Sequence, residues 1–186
     1  DGKRASQPNA VIECTTLRLE KRSRIRTLTL DTVVEIRDGT INESVALQAD
    51  IDTPVSLVYH FMHPWVPSMS HYFGEKTDGS RVRGRFNDDK AMEIDAPTRW
   101  SAVYDEAQKI GAVTLVVAAP EDHWRTRYWD VPNRYRKHYF TTFQDQVIPA
   151  KETFTYQILT LPFRTNTENW EDTVLRLVAE LGSKDQ

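Results

Sequence analysis

A single cysteine, Cys14, stands in the whole chain, so neither an intrachain disulfide nor a cysteine-built zinc site can form. Glycine is scarce: seven in 186 residues, about 4% where about 7% is usual. A glycine-rich phosphate cradle is correspondingly disfavoured, and no G-x-G-x-x-G, P-loop or G-x-S-x-G pattern occurs. The longest mostly apolar run, Ala112 to Ala119, is far shorter than the roughly 18 residues a membrane helix needs. A basic excess is missing too. Twenty-four Lys and Arg face 27 Asp and Glu for a net charge of −3, which argues against a dedicated nucleic-acid binder. The first residues, Asp1-Gly-Lys-Arg, carry no apolar signal core and no initiating Met. They read as the trimmed start of a longer soluble polypeptide whose localisation stays open, a secreted or periplasmic fragment being one option.

What is present is enough apolar and aromatic surface for a core, 39% and 10% of residues, in a chain that should bury roughly 70% of its extended surface. Most of it is patterned for strands. Val11–Leu19 and Arg24–Leu30 mix β-branched and polar residues in near alternation, and Val33–Arg37 runs into Asp38-Gly39, a strong hairpin signal. After a turn at Asp50–Pro54, alternation across Val55–His63 predicts one face of Val55, Leu57, Tyr59, Phe61 and His63, and an opposite face of Val58, His60 and Met62. Pro64 and Pro67 are expected to stop pairing. Shorter strands are predicted at Val82–Phe86, Ala91–Ile94 and Thr98–Tyr104, and Ala112–Ala119 reads as a strand buried on both faces. Residues 120–136 read as a long aromatic and basic loop, followed by strands at Lys137–Phe143 and Phe154–Leu161.

Only the end of the chain has helical spacing: Trp170, Val174, Leu177, Val178 and Leu181, with Thr165-x-x-Glu168 as a capping box and Gly182 as the C′ glycine. A helix over about 167–181 follows. No repeat or linker divides the chain. The expectation is therefore one domain over 1–186, an all-β antiparallel sandwich of ten or so strands closed by a C-terminal helix.

His60-x-x-His63 with His71 has the look of a metal cluster, but residues three apart on a strand face opposite ways, so no metal site is expected. No cofactor is expected either. His123-Trp124-Arg125-Thr126-Arg127-Tyr128-Trp129-Asp130 concentrates three aromatics and two arginines. Aromatic faces stack on the C–H faces of sugar rings while Arg and Asp bind hydroxyls. The same mixture, extended through Arg134 to Tyr139, would also stack bases, or simply seal the edge of the sandwich.

The segment Val33-Val34-Glu35-Ile36-Arg37-Asp38-Gly39-Thr40-Ile41, running on to Leu57-Val58-Tyr59-His60-Phe61-Met62-His63-Pro64-Trp65, resembles the galactose mutarotase-like (aldose 1-epimerase) family. So do Thr98–Asp105, Gly111–Thr114 and Ile148–Phe154. The resemblance implies a mutarotase-like supersandwich in reduced form and a carbohydrate ligand on its concave face. It places the family's acid at His63 and its base near Ala119-Pro120-Glu121, hence at Glu121. Tyr59, Trp65, His71, Arg99, Trp124 and Arg125 are the candidate sugar-contacting residues, by residue type and position. The family's glycine in its last turn is replaced by Ala150-Lys151, and its remaining sugar-holding arginine and histidine have no matching positions. The alternative function is a structural or protein-interaction sandwich without small-molecule chemistry, with single-stranded nucleic acid a minor third reading. Oligomeric state is not legible.

Overall fold

The computed structural model describes residues 15–182. Twelve strands alternate along the described chain: β1 (Thr16–Ile25), β2 (Leu28–Arg37), β3 (Thr40–Ala49), β4 (Thr53–Trp65), β5 (His71–Lys76), β6 (Arg81–Arg85), β7 (Met92–Ala96), β8 (Thr98–Asp105), β9 (Ile110–Ala118), β10 (Arg125–Val131), β11 (Tyr135–Ile148) and β12 (Thr153–Arg164). A 3₁₀ turn (Thr167–Asn169) leads into α1 (Trp170–Gly182). The strands form two antiparallel sheets: a large one in the order β1-β2-β3-β12-β9-β8-β5-β6 and a small one in the order β4-β11-β10-β7. The architecture is the all-β sandwich with a C-terminal helix that the strand pattern predicts.

Local chemistry sets the elements. Asp38 and Gly39 both take positive φ, 50° and 76°, as the tight turn between β2 and β3 requires. The chain reverses earlier than its alternation suggests, at Arg26-Thr27, so Arg24–Leu30 is split between β1 and β2 rather than forming one strand. Cys14 and the start of the expected first strand lie outside the described residues. The predicted loop over 120–136 holds β10, paired with β7 on one side and β11 on the other. Its odd positions Arg125, Arg127 and Trp129 alternate with buried Thr126, Tyr128 and Asp130, a period-two pattern that its charge and aromatic content disguise. Pro64 does not end its strand. It lies in β4, an edge of the small sheet, where a missing N–H donor is tolerated.

Between the sheets, Val45, Leu47, Tyr156 and Ile158 of the large sheet pack on Phe140 and Phe143 of the small one. A second inter-sheet cluster joins Tyr72, Val103 and Ala112 to Ile94 and Tyr128. The outer face of the large sheet is covered by α1, whose Trp170 and Val174 sit against Phe73, Trp100, Tyr104, Val113 and Phe163. β9 is therefore buried on both faces over its first half, but Val117 emerges into solvent. The helix begins after a cap that differs from the predicted box. Asn166, not Thr165, accepts from the Asn169 N–H at 3.2 Å. Gly182 is the last residue of the helix rather than one beyond it.

Two irregularities in the β4–β11 ladder redirect side chains. The register slips between Thr141 and Phe143 and again between His138 and Phe140. Phe61 takes φ = 52° at the second slip. Each slip exchanges the faces, so the alternation expected of Val55–His63 does not hold. Leu57 and Tyr59 point outward, while Val58, His60, Phe61, His63 and Trp65 are turned toward the sandwich. His60 and His63 therefore share the inner side, contrary to the strand-parity expectation.

Candidate functional site

Between the sheets, where β4 passes over β3, His63 donates its Nε2–H to Glu43 Oε2 at 2.7 Å. Both side chains are partly buried. They line a 280 Å³ cavity with Ile41, Pro64, Trp65 and Thr160. Across the ladder His138 lies 5.4 Å from His63, ring centre to ring centre, and is stacked on Tyr128 at 4.5 Å. Burial, and secondarily the neighbouring His63, hold the His138 imidazole far below its ordinary range, so it stays neutral. Burial alone lowers His60 to about 4. Glu43 is the partner that sequence reading missed. It is one strand and one turn distant from anything that marks it, and only the stacking of the sheets brings it to His63.

The opposite, outer face of the small sheet is covered by no other element among the described residues. Here β10, β11 and β4 present matched rows: Arg125 opposite Thr141 opposite Tyr59, Arg127 opposite Tyr139, and Trp129 opposite Lys137. Lys137 Nζ sits over three rings, 4.4 Å from the centre of Tyr139, 4.8 Å from Tyr59 and 5.8 Å from Trp129. Tyr59 and Trp129 remain 42% and 36% exposed. Arg125 and Arg127 both bond Asp95 Oδ1, at 2.8 and 2.9 Å, and Arg127 also reaches Gln144 Oε1 at 3.1 Å. Partial burial pushes the Asp95 carboxyl up, but the guanidiniums of Arg127 and Arg125 outweigh it and keep it below the usual carboxylate range. At the end of this face a 300 Å³ cleft is lined by Pro97, Glu121, Asp122, Trp124, Arg125, Thr141, Thr142, Gln144 and Gln146.

The predicted site residues thus fall into separate places. His63 and Trp65 line the inter-sheet cavity. Glu121, Trp124 and Arg125 line the outer cleft, with Tyr59 in the same cross-strand row as Arg125. Trp124 also stacks on Phe140 at 5.5 Å, so one side of its ring belongs to the core. His71 is turned to the helix side of the large sheet, 5.8 Å from Trp170, where Arg85 and Ser70 bond its ring. Arg99 is exposed and bonds the Thr77 carbonyl and Glu75. His63 and Glu121 line no common cavity, so the structure does not bring the expected acid and base together. Alternation at 125, 127 and 129 and at 137, 139 and 141 was the signal that could have assembled the outer face in advance.

A third cluster is the clamp behind β7. Asp89, Glu93 and Asp130 bring carboxylate oxygens within 4.8 Å of one another. Their charge is met from within the protein: buried Arg136 pairs with Asp130 and with Asp88, and the Tyr72 hydroxyl donates to Glu93 at 2.7 Å.

No helix among the described residues is long and apolar enough to cross a membrane. No protein-family model and no curated protein matches the chain. Solved structures that superpose on part of it include the Slr1438 protein of Synechocystis, at TM-score 0.48 and 9% identity over 81% of this chain and 62% of that one. A candidate mutarotase from Salmonella typhimurium gives 0.46 and 10% over 81% and 61%. A candidate aldose 1-epimerase from Escherichia coli gives 0.43 and 10% over 81% and 65%. The chain spans less than two thirds of each of these proteins. Likeness at this level defines neither a ligand nor an activity for it.

Proposed function

We propose that this sandwich is a carbohydrate-binding domain whose saccharide site is the outer face of the small sheet. The observation that carries the reading is the junction of a polar cleft with an exposed aromatic row. Glu121, Asp122, Arg125, Gln144 and Gln146 supply donors and acceptors of both kinds within one 300 Å³ hollow. Tyr59, in the row of Arg125, offers a ring face beside it for the apolar side of a pyranose, and Trp129 extends that aromatic surface two rows further along β10. Asp95 fixes the planes of Arg125 and Arg127, so their remaining N–H groups are presented without further ordering cost.

Charge favours a neutral ligand over a nucleic acid. Arg125, Arg127 and Lys137 are offset on this face by Asp95, Glu121 and Asp122, whereas phosphate tracking needs an uncompensated basic stripe. The inter-sheet cavity suits a sugar poorly, because Ile41, Trp65 and Pro64 would leave most hydroxyls without partners.

The test is calorimetric titration with a panel of mono- and oligosaccharides, using native protein, Arg125→Ala and Trp129→Ala. Binding that is weakened at least tenfold by either substitution supports the assignment. A folded protein that binds none of the panel overturns it and favours a protein-interaction domain. Binding of single-stranded oligonucleotide that falls steeply with salt favours the nucleic-acid reading.

A further inference from the structure

The inter-sheet cavity is a second site of a different chemical kind. The 280 Å³ compartment at Glu43 and His63 shares Ile41, Trp65 and Thr160 with a 480 Å³ compartment that continues past Met69, Ala112, Pro162 and Phe163 to Arg164. The shared walls set the two compartments side by side. Their joint body is apolar and its two ends are not.

At one end Glu43 uses Oε2 to hold His63, and its other carboxylate oxygen has no partner among the described residues. At the far end Arg164 is exposed at the rim, and its guanidinium makes no hydrogen bond or ion pair among the described residues. Thr160 and Arg164 are four residues apart on β12, roughly 13 Å at about 3.3 Å per strand residue. A free cation at one mouth, an apolar corridor and an acceptor at the other end select a ligand with the complementary order of groups.

We propose that this cavity binds a medium-length aliphatic carboxylic acid carrying a hydroxyl at its far end. The carboxylate pairs with the Arg164 fork, which matches its planar geometry. The methylene chain lies against Ile41, Trp65, Met69 and Ala112 and leaves water. The terminal hydroxyl donates to the open oxygen of Glu43, while His63 keeps that carboxylate oriented. A plain fatty acid would set a methyl group against Glu43, and a sugar would strand its hydroxyls along the corridor. Nothing covalent is involved.

Calorimetry with ω-hydroxydecanoic acid, decanoic acid and the diol of the same length tests this directly. The hydroxy acid should bind more tightly than either by about tenfold, the size of one charge-assisted hydrogen bond. Arg164→Gln, at an exposed position, should erase the advantage of the hydroxy acid over the diol. Glu43→Gln retains an acceptor for His63 and should reduce the advantage over decanoic acid. Equal affinity of native protein for all three probes, or binding of none, overturns the proposal, as does an unchanged preference in Arg164→Gln. Arg125→Ala should leave this binding intact, so failure here and failure of the saccharide site are told apart.

Discussion

Glu43 and His63 tie the two sheets together at the open edge of the small one, with the imidazole Nε2 2.7 Å from the carboxylate. They stand on β3 and β4, consecutive strands that belong to different sheets. Removing either leaves the other partly buried without its partner. A double-mutant cycle of Glu43→Ala and His63→Ala, read by urea denaturation, should return a coupling of about 1.5–3 kcal/mol, the range for a hydrogen bond to a charged group. Additive effects would show that the bond contributes nothing to holding β4 in place.

Buried histidines make the fold acid-sensitive in a defined window. His60 has a folded-state pKa of about 4, lowered by burial, and His138 is held well below its ordinary value by burial and by His63. Above the unfolded value near 6.5 neither state binds a proton there, and stability is full. As pH falls below it, the unfolded chain takes up protons that the folded chain refuses, so stability declines until the folded pKa is reached. For His60 alone that amounts to about 3 kcal/mol between neutral pH and pH 4. His60→Phe should make the stability profile less steep between pH 6.5 and 4, the slope due to His138 remaining. The carboxylates held low, such as Asp95 and Asp88, lose their contribution only at more acidic pH. An unaltered profile in His60→Phe would mean that this ring is not kept neutral by the fold.

Arg136 is a buried cation with two carboxylate partners, Asp130 and Asp88, and its Nε donates to the Met69 carbonyl at 3.2 Å. Asp130 is fully buried. Arg136→Ala should cost about 3–5 kcal/mol, because it leaves that charge without compensation. Adding Asp130→Asn should recover part of the loss. Thermal melts of the single and double variants decide it, and a double variant no more stable than Arg136→Ala would reject the charge explanation.

Gly111 tests the packing beneath α1. A Cβ there would lie 2.6 Å from the Val103 carbonyl oxygen and closer still to the Phe163 ring. Gly111→Ala should therefore lower stability by about 1–3 kcal/mol through overpacking. An alanine variant as stable as the native chain would show that β8 and β12 separate there more easily than their pairing suggests.

The Asp38-Gly39 hairpin, the strand-rich body and the terminal amphipathic helix were all legible in the residues, because each depends on neighbours a few positions away. So was the chemistry of residues 123–139, although their aromatic and charged content concealed the strands that carry it. By itself the amino-acid order determined the elements and the kinds of side chain available for binding. Which faces those side chains occupy was decided by the tertiary structure: slips in the β4–β11 ladder turned Tyr59 outward and His63 inward, and sheet stacking set Glu43 beside that imidazole. The reason is that strand parity is a property of pairing between distant segments. One inserted residue in a ladder exchanges the faces beyond it, and nothing local to Tyr59 or His63 records the change.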